Sequence, residues 1–191
     1  MVPIEFTFYV IGFMVALIGF ARGYARELGT TMIAMTAIFV LGLAETQLGS
    51  AQIDSVIRLI SDQVLGSTTE ESLDFMIYII FSTAYLLMMF MSYAGETLEF
   101  PGDPAPPPQG TILSFFVSII NGYLISGTLW YFLDEYGYPI DWIVEFQEPL
   151  TSTAQTMIGY LPQNLFEGSG TLSGVIWMIP VALLLLLRVR G

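Results

Sequence analysis

The amino-acid sequence predicts an all-α fold: a polytopic transmembrane helical protein with about five spans and two external amphipathic helices. Three observations carry that prediction. Of the 191 residues, 54% are hydrophobic and 12% are charged, against about 25% charged in an ordinary soluble domain. The mean hydropathy is +0.70, so water is not the main solvent for these side chains. Five stretches without a charge approach or reach the ~20 apolar residues needed to cross a hydrocarbon core.

The first span lies near 4–21; its charge-free part is 6–21, Pro3 suits a helix start and Glu5 stands at the edge. It lacks the basic start and small-residue cleavage pattern of a signal peptide, which marks it as a retained span. The second, 28–44, is short but dense in large apolar residues, among them Met32, Ile38 and Phe39. The third is 75–95 and the fourth 110–133. The fifth is 168–187, with its apolar part starting at Leu172 and a kink expected at Pro180. The chain then divides into a membrane domain, 1–165, and an extra C-terminal transmembrane helix, 166–191.

Two segments between spans read as amphipathic. In 52–65, Ile53, Val56, Ile57, Ile60 and Val64 recur at helical spacing, the pattern of a helix lying on the membrane or packed on the bundle. In 139–161, Trp142, Ile143, Phe146, Leu150, Ala154, Met157, Ile158 and Leu161 do the same, with Pro149 dividing the helix. Asp141, Glu145 and Glu148 form an acidic stripe on its first half. Trp130, Tyr131, Tyr136, Tyr138 and Trp142 form an interfacial aromatic belt. The loop 96–109, with Pro101, Pro104, Pro106, Pro107 and Pro108, reads as an extended spacer, with a ligand for a proline-reading domain as the second reading.

Cytoplasmic flanks hold the excess of cations. With five spans, Arg22 and Arg26 fall on the same side as Arg188 and Arg190, and Arg58 alone falls opposite. That places the N-terminus outside and the C-terminus in the cytoplasm. Most acidic residues then lie outside, so the net charge of −12 is mainly an acidic outer face, either solvated or docking a basic partner.

The sequence contains no Cys, no His and, its five cations all being Arg, no Lys. Disulfides, thiol nucleophiles and sulfur-ligated metals are excluded, as are histidine or lysine bases and Schiff-base chemistry. No catalytic, metal-binding or cofactor-binding set is expected, and a pI near 4.1 without a basic cluster gives nucleic acid no electrostatic footing. No ionisable residue falls in the middle of a predicted span; Glu5, Asp74 and Asp134 are at ends. Proton pumping by the chain's own residues is therefore not expected.

The fourth span is the most informative. Ser114, Ser118, Gly122 and Ser126 recur every fourth residue along one face, with Asn121 beside it. Small residues at that spacing let helix backbones approach closely, and a mid-span amide needs a partner. The face packs within the chain or against a second copy or another membrane protein. Arg22 and Arg26 lie in a tight turn, where they anchor the topology by binding lipid phosphates or capping the first span, or form a docking motif for a cytoplasmic partner. Glu27 follows Arg26 and is five residues from Arg22. Neither is a pairing distance along one helix, so the guanidinium charges are expected to be left for lipid.

The run Arg22-Gly23-Tyr24-Ala25-Arg26-Glu27 resembles the Arg-Gly-x-x-Arg-Glu signature of the colicin V production protein family, small bacterial inner-membrane proteins usually drawn with four spans. Asn121-Gly122, the apolar run 123–132 and Leu133-Asp134 resemble that family's glycine-rich span, and the tail near Leu161-Pro162 fits as well. The similarity covers roughly 4–165. Where the family carries Asp-Arg ahead of the fourth span and Arg-Gly within it, this chain has Gly110-Thr111 and Asn121-Gly122, and Ser114 and Ser118 stand at family glycines. The fifth span is an addition. The resemblance implies a non-catalytic bacterial inner-membrane protein with a part in toxin production or export, or in envelope maintenance, acting through contact of the fourth span with a partner. The residues alone suit equally a small structural subunit of a larger respiratory or photosynthetic membrane complex and, less well, a carrier of a neutral solute.

Overall fold

The computed structural model describes residues 3–46, 48, 51–95, 106, 108–139, 150–165 and 173–190. In chain order the helices are α1 (Ile4–Arg22), α2 (Tyr24–Glu45), α3 (Ala51–Leu65), α4 (Glu70–Ala94), α5 (Gln109–Glu135), α6 (Ser152–Ile158), α7 (Ser173–Ile176) and α8 (Met178–Arg190). The fold is all-α, with no strand among the described residues. Four helices, α1, α2, α4 and α5, are long and apolar enough to cross a membrane, so the chain is a polytopic membrane protein.

Only Gly23 separates α1 from α2. Its φ of 88° lies where an L side chain is strained, and a Cβ there would meet nothing, so backbone conformation is what calls for glycine. The second span consequently starts at Tyr24, four residues ahead of the expected 28, and includes Glu27 in its first turn. The third span starts five residues ahead of its expected bound and ends one short of it, at Glu70–Ala94, and the fourth runs past both of its bounds, at Gln109–Glu135.

The expected fifth span differs more. Its part 168–172 lies outside the described residues, and the remainder is split at Trp177 into α7 and α8. Neither piece has the length of a span. The break follows from Pro180, whose ring lacks an N–H and crowds the carbonyl four residues back, at Ile176, the last residue of α7. Of the two external helices, 52–65 is α3, and 139–161 is described only from residue 150 on, where Thr151 caps α6 by accepting from the Ala154 N–H at 3.0 Å. Most of the loop 96–109 also lies outside the described residues.

The core is built by α2, α4 and α5. Ala34, Ala37, Ile38 and Leu41 meet Phe81, Tyr85 and Met89 and the α5 residues Leu124, Ile125 and Phe132, with Trp177 closing one side. Tyr85 is fully buried and donates to the Leu124 carbonyl at 3.1 Å. The most extensive helix pair is α1 with α5. Outward, α1, α4 and α5 present Phe13, Phe90, Met91 and Phe116, each more than half exposed. Large apolar side chains facing outward along whole helices are the surface that lipid solvates.

Candidate functional site

The first turn of α2, the last turns of α1 and α4, and the middle of α5 converge at one end of the bundle. The Arg22 Nη1 donates to Glu27 Oε1 at 2.6 Å and to Thr30 Oγ1 at 3.2 Å. Its Nη2 donates to the Ser92 carbonyl at 3.1 Å, and the guanidinium lies over the Tyr93 ring at 4.4 Å from the centroid, a cation–π contact. Arg22 therefore spans from α1 to α2 and α4. The pair contradicts the expectation that the charges of this turn are left for lipid. The spacing rule holds along one helix, whereas here the partners sit on two helices that Gly23 folds against each other. Arg26, the second expected anchor, is exposed on the first turn of α2.

Glu27 is fully buried, although it stands in the first turn of its helix rather than in the middle of a span. Its other oxygen, Oε2, accepts from Asn121 Nδ2 at 2.7 Å and from the Tyr93 hydroxyl at 3.4 Å. Asn121, fully buried as well, uses the same amide nitrogen to bond the Glu27 carbonyl at 2.9 Å, while its Oδ1 accepts from the Thr31 hydroxyl at 2.7 Å. Two acceptors on one side and a donor on the other fix which way the amide points. Ser92 Oγ donates to Thr30 Oγ1 at 2.9 Å. Both carboxylate oxygens are thus engaged, as a buried charge requires.

The small-residue face of the fourth span is buried within the chain. Ser114, Ser118, Asn121, Gly122 and Ser126 are all buried. Ser118 and Ser126 donate to the carbonyls of Ser114 and Gly122, at 2.6 and 2.7 Å, which satisfies the hydroxyls inside α5 and leaves a narrow surface. Against it lies α1: a Cβ on Gly122 would collide with the Gly12 carbonyl oxygen, and a Cβ on Gly19 would come within 2.6 Å of Glu27 Oε2 and 2.9 Å of Ser118 Oγ. Of the readings left open for this face, packing within the chain is the one realised, and the expected contact of this face with a partner is corrected: α1 occupies it.

Sequence reasoning found Arg22, Gly23, Arg26 and Glu27 as one motif and the α5 face as another, and the structure brings the two together at Glu27 and Asn121. It missed Gly19, Thr30, Thr31, Ser92 and Tyr93. Gly12 and Gly19, seven residues apart on one face of α1, were a signal for the partner of the serine–glycine face.

At the opposite end, Tyr131 and Tyr136 donate to Glu45 at 3.4 and 3.1 Å. Burial first, then the Glu45 carboxylate, pushes the Tyr136 phenol above its usual range, so it stays a donor. Trp130 Nε1 donates to the Tyr138 hydroxyl at 3.0 Å, and Tyr138 to Asp134 at 3.1 Å. Among the described residues no group of three or more Asp and Glu is placed to hold a metal ion. Compared with protein-family models, curated proteins and solved structures, the chain matches none.

Proposed function

We propose that the chain is a non-catalytic protein of the bacterial inner membrane, similar to the colicin V production family, that serves toxin production or export, or envelope maintenance, by contact with another membrane protein or a second copy. One observation supports the reading most: the two motifs that carry the resemblance meet in space, with Asn121 Nδ2 on the Glu27 carboxylate at 2.7 Å. Motifs about a hundred residues apart that share a buried ion pair make one unit, and its role here is to hold α1, α2, α4 and α5 in register. A carboxylate saturated by an arginine, an amide and a phenol has no lone pair turned toward a substrate.

With the α5 face taken up by α1, the partner surface in this reading moves to the outward sides of α1 and α5, around Phe13, Met14 and Phe116. The orientation proposed keeps the N-terminus outside and Arg22 and Arg26 at the cytoplasmic surface. Purification from native membranes in mild detergent, followed by native mass spectrometry, tests the proposal. A second copy or a partner without cofactors, bound in fixed ratio and released by Phe13→Ala with Phe116→Ala, is the expected result. Fixed-ratio recovery with cofactor-bearing subunits overturns it in favour of a structural subunit of a larger complex.

A further inference from the structure

Helix α3 is amphipathic in a direction that its contacts within the chain do not use. It touches α4 through Ile57, 8% exposed, which packs on Leu73 and Met76, while fully buried Ser61 donates its hydroxyl to the Ser67 carbonyl, in the connection ahead of α4, at 2.6 Å. At about 100° per residue, Val56, Leu59 and Val64 fall within an arc of about 140° to one side of that contact, with exposed Gln63 among them. Val56, Leu59 and Val64 are 55%, 60% and 67% exposed. Ser55, Arg58 and Asp62 take the arc across from them and are exposed too. The helix has three faces: one on the protein, which Ile53 and Ile60 join from its flank, one polar, and one mainly apolar that presents Val56, Leu59 and Val64 outward.

Its height along the bundle selects what covers that third face. The start of α2 lies beside the end of α4, where Ser92 meets Thr30 at 2.9 Å. Counting residue for residue from that contact, Glu45 at the end of α2 stands level with Ile77, so the first turns of α4 rise about 10 Å beyond α2. Those turns pass from Glu70, Glu71 and Asp74 to the apolar run starting at Phe75, the change of side chain that accompanies passage from headgroups into hydrocarbon. α3 is fastened to this zone by Leu73 and Met76.

We propose that α3 is an interfacial helix, seated at the headgroup–acyl boundary with Val56, Leu59 and Val64 turned into the phospholipid and Arg58 and Asp62 turned to water. The occupant of the face is the lipid itself. Asp54 and Asp62 outnumber Arg58, and Glu70 and Glu71 lie nearby in the chain, so apolar burial holds the helix and anionic headgroups add nothing. The inference needs only that the bundle crosses a bilayer and does not rest on the family resemblance.

The sequence has no cysteine, so single-cysteine variants report one site each. Val56→Cys, Leu59→Cys, Val64→Cys, Arg58→Cys and Asp62→Cys, each in the full chain, are spin-labelled and reconstituted in phosphatidylcholine vesicles. Collision with oxygen, which prefers hydrocarbon, is compared with collision with a water-soluble nickel chelate. The expected oxygen-to-nickel ratio is severalfold higher at Val56, Leu59 and Val64 than at Arg58 and Asp62, and the same in vesicles containing phosphatidylglycerol. Equal ratios at all five sites show a helix solvated by water and overturn the proposal. Protection of the first three from both reagents shows protein covering the face and overturns it too, as does a contrast that appears only with the anionic lipid.

Discussion

Arg22 and Glu27 show how a buried charge pair makes four helices depend on one contact. Removing Arg22 leaves Glu27 without its counter-charge where water does not reach, which costs about 3–5 kcal/mol at most, and removing Glu27 strands a guanidinium that is only 18% exposed, whereas replacing both with apolar residues costs far less than the sum. Arg22→Leu and Glu27→Leu are therefore each expected to destabilise the detergent-solubilised chain by up to that amount, and the double variant by less than either. Equilibrium unfolding across the four-variant cycle measures this; strict additivity would show that the pair is not coupled. The glycines divide in the same physical way. Gly122→Ala places a methyl against the Gly12 carbonyl, backbone that has nowhere to go, and is expected to loosen α1 from α5 and lower Tm. Gly42 has nothing within 4 Å of a Cβ, so Gly42→Ala is expected to leave Tm unchanged or to raise stability by about 0.5–1 kcal/mol through helix propensity. The pair was not legible from spacing, because its members sit on different helices; of the Gly12–Gly122 contact, spacing carried only the small-residue face of each helix and not which faces meet.

The elements were more legible than their ends. Apolar length placed α1, α2, α4 and α5 because a hydrocarbon slab imposes one length on every crossing. Their ends ran into polar residues such as Glu27 and Glu70, since a helix continues for as long as its backbone hydrogen bonds close, and tertiary partners can take in the charge. The 3.6-residue period found α3, while which side of it meets the bundle depends on Leu73 and Met76, which periodicity does not report. The C-terminal segment shows one residue acting against composition: its hydropathy reads as a span with a kink at Pro180, and the proline, which removes the hydrogen bond to Ile176, goes with a break between α7 and α8. Pro180→Ala is expected to fuse α7 and α8 into one helix over 173–190. Hydrogen exchange read by mass spectrometry would then slow across 176–181, and unchanged exchange there would assign the break to Trp177 instead.

For the whole molecule, lipid in place of water explains why large apolar side chains face outward while serines, threonines, an asparagine and an ion pair face inward. On the proposed orientation, a reporter fused to the N-terminus is expected to be reachable only from the periplasmic side, and a cytoplasmic signal would reverse the orientation while leaving the bundle intact. Membrane residence supports every inference above it, and partition of the full chain after cell lysis without detergent tests it most directly. The account predicts recovery in the ultracentrifuge pellet and retention there through an alkaline carbonate wash; recovery in the supernatant would contradict it.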